Sequence, residues 1–220
     1  MTPLQMKLIS VNVGLPRDVT WLGKSVRTSI WKSPVKGRIH VAKLNLDGDQ
    51  QSDLSVHGGL DKAVYAYPAE HYPYWRRELR DVDLPWGVFG ENFTTQGLLE
   101  GQLLVGDRLR VGSAEFTVTQ PRMPCFKLGI RFDSPAMVKR FLQSNRTGFY
   151  LAVSREGEVG AGDPIEREEN RDSGLTIADI VSLYTSDAEN QDLLQRATKL
   201  PALPEGWKEY FRKRLWNADS

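Results

Sequence analysis

Residues 108–133, RLRVGSAEFTVTQPRMPCFKLGIRFD, combine an alternating apolar pattern with the only cysteine of the chain. Apolar residues alternate with charged or polar ones over 108–111 and again over 115–118, which is the pattern of two half-buried strands. Gly112 and Ser113 separate the two runs and suit a turn. The stretch therefore predicts two strands joined by a turn and followed by a loop that contains prolines.

That loop carries Cys125. Pro121 and Pro124 fix φ and lack a backbone N–H, so the stretch is neither a helix interior nor a central strand. Arg122 and Lys127 flank the cysteine, and nearby cations favour the thiolate, which attacks electrophiles and binds metals. The sequence therefore favours a reactive or ligating sulfur. The alternative is a free cysteine that serves as a small apolar core residue.

Composition indicates an ordinary folded globular protein. The chain has 220 residues, 40% hydrophobic and 26% charged, which suffices for one sizeable core and a small second domain. With 29 Lys and Arg against 28 Asp and Glu, the overall charge favours no nucleic-acid or membrane partner, and only a local basic cleft stays open. With one cysteine, no membrane-length apolar run and no signal-peptide pattern, we expect a cytoplasmic protein.

The first part of the chain is rich in predicted strands. Short alternating runs with glycine turns predominate, and predicted helices at residues 68–80 and 134–144 interrupt them. A mixture of this kind is typical of an α+β fold. We predict a β-barrel domain over residues 1–168.

The pattern becomes helical after residue 168. Thr176 and Asp179 form a start resembling a capping box, and apolar residues then recur at helical spacing. Predicted helices cover residues 176–185, 187–200 and 204–216. We therefore predict a small bundle of three helices over residues 169–220. Its last helix combines cations with aromatic residues, and the spacing of the aromatic residues favours packing against a core over nucleic-acid binding.

Two further loops contain residues suited to ligand binding. Residues 46–64, LDGDQQSDLSVHGGLDKAV, include His57, which can donate, accept or bind a metal, and the Gly58-Gly59 pair, which lets a ligand approach the backbone. Residues 87–98, GVFGENFTTQGL, include the amide of Asn92. Taken singly, each loop is also compatible with an ordinary polar turn.

The sequence argues against a metal site made of protein ligands alone. Zinc sites take about four nitrogen, sulfur or carboxylate ligands, commonly in closely spaced pairs. This chain has one cysteine and three histidines, with no close pair among them, and we interpret His40 and His71 as structural. A ligating Cys125 would then be the single protein ligand of a metal that is already chelated by an organic cofactor.

Three motifs in this order resemble the signature blocks of the MOSC domain, which is named after the C-terminal domain of molybdenum cofactor sulfurase. They are LDGDQQSDLSVHGGLDKAVYAYP, FGENFTTQGL and QPRMPCFKL. The three-helix tail resembles the addition that marks the bacterial YiiM group of that superfamily. The resemblance covers about residues 20–216 and implies a β-barrel that binds a molybdenum cofactor of the molybdopterin type.

The resemblance also implies roles for individual residues. Cys125 would be the protein ligand to molybdenum and the residue central to catalysis. The remaining cofactor-binding residues implied are Lys32, His57, Gly58, Asn92, Arg122 and Lys127. Arg122 and Lys127 would hold the anionic phosphate or support the thiolate, whereas Lys32 in SIWKSPVKG matches a basic position near the start of the domain. The alternative for each cation is a solvated surface side chain.

The implied activity is reduction of small N-hydroxylated compounds such as hydroxylaminopurines, amidoximes and hydroxamic acids. The sequence has neither a glycine-rich dinucleotide motif nor a cysteine cluster, so we expect a separate flavoprotein or ferredoxin-type electron donor. Two other functions stay open, namely a persulfide carrier or transferase that uses Cys125 and a non-catalytic cofactor carrier. The helical tail packs on the barrel, covers the mouth of the site or forms a homodimer interface.

Overall fold

The protein is described here by a computed structural model that covers residues 5–52 and 58–218. Residues 53–57, which include the predicted site residue His57, lie outside the described residues. The strands are β1 (Lys7–Val13), β2 (Arg17–Trp21), β3 (Lys24–Thr28), β4 (Ser33–Pro34), β5 (Arg38–Val41), β6 (Val64–Pro68), β7 (Phe93–Gln96), β8 (Arg108–Val111), β9 (Ala114–Pro121), β10 (Phe149–Arg155), β11 (Gly157–Gly160) and β12 (Ile165–Glu168). The helices are α1 (Tyr72–Glu78), α2 (Phe126–Arg131), α3 (Ala136–Gln143), α4 (Ile177–Thr185), α5 (Gln191–Lys199) and α6 (Glu205–Ala218). The predicted α+β class is confirmed.

Eight strands form the main sheet, in the order β12-β8-β9-β10-β6-β7-β1-β4. The pairs are antiparallel except for β6 and β7, which run parallel. Two further sheets have two strands each, β11 with β5 and β2 with β3. The centre of the main sheet thus places the ends of β9, β10, β6 and β7 side by side.

The main sheet curls like the predicted barrel but does not close into a continuous ladder. β1 and the segment that leads into β12 meet through a few backbone bonds, in which Leu8 donates to the carbonyl of Asp163 (2.9 Å), Gly162 to Leu8 (2.7 Å) and Ile165 to Met6 (2.9 Å). The segment that faces β1 is the turn before β12, and a turn cannot present the regular repeat of donors and acceptors that a strand ladder needs.

The strand pair predicted from residues 108–118 is confirmed. β8 and β9 pair antiparallel, with Val111 opposite Ala114 across the turn at Gly112 and Ser113. Gly112 has φ of 57°, and a Cβ there would lie 2.2 Å from the carbonyl oxygen of Glu158. Glycine is therefore required at this turn on both conformational and steric grounds.

The helical tail begins as the sequence indicates. The Thr176 hydroxyl accepts from the Asp179 N–H (3.1 Å), and the Asp179 carboxylate accepts from the Thr176 N–H (2.8 Å), which completes the capping box. Buried side chains of the tail, including Ile180, Leu194 and Phe211, belong to the same apolar core cluster as the strands. Because the core is continuous, the domain boundary between residues 168 and 169 stays a prediction.

A second cluster is rich in aromatic side chains and lies around α1, α2 and α3. Trp75 and Phe141 stack with ring centroids 5.6 Å apart, and Tyr67 contacts Phe89 at 4.8 Å. The first predicted helix is shorter than expected, because α1 is preceded by a 3-10 turn over Ala69–His71. Within residues 5–52 and 58–218, no helix combines the length and apolar character that crossing a bilayer requires.

Candidate functional site

A pocket at the ends of four adjacent strands collects the predicted site residues. Arg122 follows the last residue of β9, Tyr150 lies in β10, Tyr65 in β6, and Asn92 directly precedes β7. We call it the basic pocket, and its lining consists of Thr28, Ser29, Ile30, Lys32, Asp49, Gln50, Gln51, Ser52, Gly58, Lys62, Tyr65, Gly90, Asn92, Arg122, Cys125, Lys127 and Tyr150. Every predicted site residue lies here except His57, which is outside the described residues.

The lining is strongly cationic. Among the described residues, its charged side chains are the cations of Lys32, Lys62, Arg122 and Lys127 and the carboxylate of Asp49. The whole chain carries a formal net charge of only +1, so the excess of cations in this lining is a local feature. A concave surface lined by one sign of charge attracts a ligand of the opposite sign. The pocket is thus suited to an anionic ligand.

Cys125 occupies the loop between β9 and α2. Its backbone is extended, with φ of −120° and ψ of 174°, and its carbonyl accepts the Leu128 N–H at 2.9 Å as the chain enters the helix. The side chain is half-buried and lines the pocket together with Arg122 and Lys127. The loop therefore presents the sulfur to the cavity, which contradicts the alternative of a cysteine enclosed in the apolar core.

Arg122 is buried beneath the pocket, with 6% of its surface exposed, so the surface-cation alternative is wrong for this residue. Its guanidinium carbon lies 5.3 Å from the ring centroids of both Tyr65 and Phe141. Within the described part of the chain, its Nη1 atom is buried without a hydrogen-bond partner. Because leaving a buried charged donor unpaired is costly, the position is suited to binding an anion.

The charge of Arg122 is nevertheless maintained. Burial acts to lower its pKa, but the hydroxyls of Tyr65 and Tyr150 and the thiol of Cys125, all of which can become anionic, raise the pKa overall. Burial in turn raises the pKa of Tyr150, against the opposing effect of the Arg122 charge. The pocket floor therefore holds a permanent guanidinium beside neutral phenols.

Lys32 and Asn92 are connected through Asp49. The Lys32 ammonium lies 2.5 Å from the Asp49 carboxylate, and both side chains are buried. Asp49 also accepts from the Asn92 amide (2.9 Å) and from the Gly14 backbone N–H (2.8 Å). Burial lowers the pKa of Lys32, whereas the negative charges of Asp49 and Glu91 partly restore it. The surface-cation alternative is therefore wrong for Lys32 as well.

Asn92 also holds neighbouring strands. Its amide oxygen accepts the Tyr65 backbone N–H (3.2 Å), and its amide nitrogen donates to the Asn12 carbonyl (3.3 Å). Its hydrogen-bonding groups are thus already engaged within the protein. The main role of Asn92 in the pocket is therefore to hold Asp49 and the ends of β6 and β7 in position.

Lys127 and Gly58 complete the set of predicted residues in the pocket. Lys127 is 7% exposed, and its ammonium lies 3.4 Å from the Ser52 hydroxyl. The surface-cation alternative is wrong for it too. Gly58 has φ of 111°, a conformation in which a side chain would be strained. The backbone at Gly58 therefore lines the pocket without a Cβ.

Sequence reasoning missed several lining residues. Asp49 and Lys62 lie inside the first motif, Tyr65 lies in β6 and Tyr150 lies in β10. A buried lysine needs a counter-ion, but the first motif contains four aspartates, and nothing in the sequence distinguishes Asp49 from the other three. No sequence signal distinguishes Tyr65 from other strand tyrosines. Within the described ranges, no group of three or more His, Cys, Asp and Glu side chains is arranged to hold a metal ion.

Protein-family models match most of the chain. The MOSC domain model matches residues 53–166. The model described as the YiiM-like, 3-alpha helix domain matches residues 175–217. The first segment covers the chain from before β6 to the start of β12, with the helices between them, and the second covers the helical tail.

Individual relatives extend over the same region. The uncharacterized protein YflK of Bacillus subtilis is 38% identical and covers 94% of this chain and 93% of its own length. Protein YiiM of Escherichia coli is 33% identical, with 85% and 84% covered. A Gibberella moniliformis protein named reductase is 30% identical over 99% of this chain, which spans 39% of that longer protein.

Solved structures agree with this relationship. The crystal structure of YiiM from Geobacillus stearothermophilus superposes with a TM-score of 0.80 at 35% identity, over 96% of this chain and 99% of that one. Sequence identity and fold therefore lead to the same group of proteins. The chain is a member of the MOSC domain family and carries the YiiM-like three-helix domain in its C-terminal part.

Proposed function

We propose that the protein is a reductase of N-hydroxylated compounds that works with a molybdenum cofactor of the molybdopterin type bound in the basic pocket. One observation carries the proposal. A buried arginine with an unpaired Nη1 atom lies in the same cavity as the only cysteine of the chain. The pocket is therefore suited to a molecule that combines an anionic group with a metal that binds a cysteine sulfur. A molybdenum cofactor has both.

The residues of the pocket fit this cofactor. A dithiolene and a phosphate are anionic, and the described part of the lining has four cations against one carboxylate. Arg122 and Lys127 would hold the phosphate and the pterin edge, the backbone at Gly58, which has no Cβ, would let the ring system approach closely, and Cys125 would supply the protein thiolate. When bound, the cofactor supplies two-electron oxygen-atom removal from the substrate nitrogen.

Lys32 has a different role because its charge is already paired. Its ammonium is fixed by Asp49, and Asp49 is fixed by Asn92, so the three side chains form one rigid unit. A lysine whose pKa is lowered by burial gives up a proton more readily than an exposed lysine. In this proposal Lys32 orients the polar end of the substrate and donates a proton to the departing oxygen.

The fungal protein named reductase supports reduction as the reaction class. This chain aligns with only 39% of it, so the matched part is a module of a longer protein. We propose a flavoprotein or ferredoxin-type donor for this chain.

Purification from a host that makes the cofactor tests the function. We expect about one molybdenum per chain by elemental analysis, and reduction of 6-hydroxylaminopurine when reduced viologen supplies the electrons. NADH alone should give no turnover, and adding a flavin reductase should make the reaction depend on NADH. Strong NADH-driven turnover by the isolated chain would contradict the external donor.

The same preparation distinguishes the two other functions. Stoichiometric molybdenum without turnover of any N-hydroxylated compound would identify a cofactor carrier. A persulfide carrier would contain no molybdenum. Its mass spectrum would show an additional sulfur atom on Cys125, and treatment with cyanide would remove that sulfur. The half-buried sulfur beside buried cations is compatible with that chemistry. Detection of the persulfide would therefore replace the reductase proposal with sulfur transfer.

A further inference from the structure

A second cavity adjoins the basic pocket and shares Gly58 and Lys62 with it. One side of this cavity comes from the sheet domain and the other from the helical tail. Its lining consists of Gly58, Gly59, Leu60, Asp61, Lys62, Gln120, Met123, Tyr184, Pro204, Gly206, Trp207 and Tyr210. Its volume of about 460 Å³ falls within the range of about 300–1,000 Å³ that is usual for small-molecule sites.

Three aromatic rings of the tail form a corner in this cavity. The rings of Tyr184 and Tyr210 are inclined by 35° to each other, with centroids 5.5 Å apart. The Trp207 ring stands at 73° to Tyr184 and at 87° to Tyr210. Two flat surfaces therefore meet at nearly a right angle. We call these three residues the aromatic corner.

The corner is tied to the strand that leads to the cysteine. The Trp207 indole N–H donates to the side-chain oxygen of Gln120 (2.8 Å), and Gln120 is a buried residue of β9. Only Pro121–Pro124 separate Gln120 from Cys125, and Met123 of that loop lines the cavity. The orientation of the indole is thus fixed relative to the proposed metal ligand.

The rest of the lining leaves room beside the rings. A Cβ atom at Gly59 or at Gly206 would meet no neighbouring atom within 4 Å, so the space beside both residues is open. Asp61 and Lys62 also line the cavity, and polar side chains of this kind suit the ring nitrogens and amino groups of a heterocycle. Flat apolar walls with a few polar groups favour a planar, uncharged, nitrogen-containing ring.

We propose that the aromatic corner binds the planar ring of an aromatic N-hydroxylated substrate while its N-hydroxy group extends into the basic pocket. This inference rests on the proposed function and assigns the choice of substrate to the helical tail. Trp207 is then a specificity-determining residue. Aliphatic N-hydroxylated compounds, which have no ring to stack, react without help from the corner.

Binding of adenine tests the corner without any turnover. Adenine has the planar ring of the substrate and no N-hydroxy group, so it reports on stacking alone. We expect Trp207→Leu to weaken adenine binding, measured by ligand-observed NMR on the full chain, about tenfold, which corresponds to about 1.4 kcal/mol. A loss of this size is typical for removal of an aromatic ring that stacks on a base.

Trp216→Leu is the matched control. Trp216 lies on the same helix, is 77% exposed and does not line the cavity. The Trp216→Leu variant should bind adenine with an affinity within twofold of that of the wild type. If Trp207→Leu proves unstable in thermal denaturation, Tyr184→Leu replaces it, because Tyr184 is 38% exposed and tolerates truncation more readily. Equal adenine affinity in the wild type and the corner variant would overturn the proposal.

Kinetics of the molybdenum-loaded protein give the second measurement. With reduced viologen as the electron source, Trp207→Leu should raise KM for 6-hydroxylaminopurine about tenfold and leave KM for acetohydroxamic acid unchanged. A parallel change for both substrates would overturn the specificity role. If no N-hydroxylated compound is reduced, the proposed function fails. The adenine measurement still decides whether the corner binds planar rings.

Discussion

The basic pocket and the aromatic corner adjoin each other but are built on opposite physical principles. The basic pocket comes from strand ends and loops of the sheet domain and holds charged side chains that are largely removed from water. The corner comes from α4 and α6 and presents half-exposed neutral rings. Burying charge is unfavourable until a counter-charge arrives, whereas aromatic faces impose little such penalty. We therefore expect variants of the pocket to change cofactor content and apo stability, and variants of the corner to change substrate preference.

The largest effect should come from Cys125→Ser. Oxygen is a poor substitute for a thiolate on a soft metal, so the variant should lose essentially all reduction of 6-hydroxylaminopurine and most of its molybdenum. Its apo form should unfold within about 2 °C of the wild type, because the half-buried side chain contributes little packing. Turnover assays, elemental analysis and thermal denaturation provide the three measurements. Wild-type turnover with bound molybdenum would exclude the ligand role.

The next largest effect concerns the buried pair of Lys32 and Asp49. Asp49→Asn leaves the Lys32 ammonium without its carboxylate, and removing one partner of a buried pair commonly destabilises a protein by about 3–5 kcal/mol. Urea denaturation of the apo forms at pH 7 measures this change. The double variant Lys32→Met/Asp49→Asn serves as the control and should recover much of the loss. If the double variant is less stable than Asp49→Asn, Lys32 is not the source of the penalty.

The stability of the Asp49→Asn variant should also depend on pH, and the sign of this dependence follows from the pKa of Lys32. Burial holds the folded-state pKa of Lys32 below the ordinary value of 10.5, and loss of Asp49 removes a group that raises it. The unfolded state then binds more protons than the folded state between the two pKa values, so stability increases as pH rises through that interval. Denaturation midpoints measured from pH 7 to pH 10 should rise more steeply in Asp49→Asn than in the double variant. A falling midpoint would contradict this assignment.

Much of the fold could be predicted from local pattern. The alternation in residues 108–118 indicates β8 and β9 because each strand buries one face, and the Thr176 capping box indicates the start of α4 because both of its bonds are local. The incomplete closure of the sheet was not predictable in the same way. It depends on how Leu8 meets Asp163, and these residues are distant in the sequence.

The site shows the same limit. The proline-flanked cysteine and the glycine pair are visible in the sequence because they impose strong backbone constraints. The partnership of Asp49 with Lys32 and the burial of Arg122 are long-range facts, and composition does not reveal them. The aromatic residues of the last helix, which include Trp207, were expected from their spacing to pack against a core. Trp207 does contact Phe211 in the tail, with ring centroids 5.5 Å apart, but it also lines the second cavity.

Arg122→Met is expected to separate binding from folding. Hydrogen bonds to charged groups contribute about 1.5–3 kcal/mol, so cofactor affinity should fall about 10- to 150-fold. Apo stability should stay equal or increase, because methionine fills similar volume without a buried charge and an unpaired Nη1 atom. Molybdenum content after dialysis and urea denaturation measure the two quantities. A large loss of apo stability with unchanged molybdenum content would make Arg122 a structural residue.

The smallest expected effect is a difference in salt dependence between the two cavities. Inorganic pyrophosphate serves as an anionic probe of the basic pocket and adenine as the probe of the corner. Raising NaCl from about 0.05 to 0.5 M shortens the Debye length to a few ångströms, which weakens binding of an anion by cations. We expect pyrophosphate affinity, measured by calorimetry on the apo protein, to fall several-fold and adenine affinity to change by less than twofold. Arg122→Met should reduce the salt dependence for pyrophosphate, because fewer cations then contribute to its binding. Equal salt dependence for both probes would mean that adenine binds through charge and not through the aromatic faces.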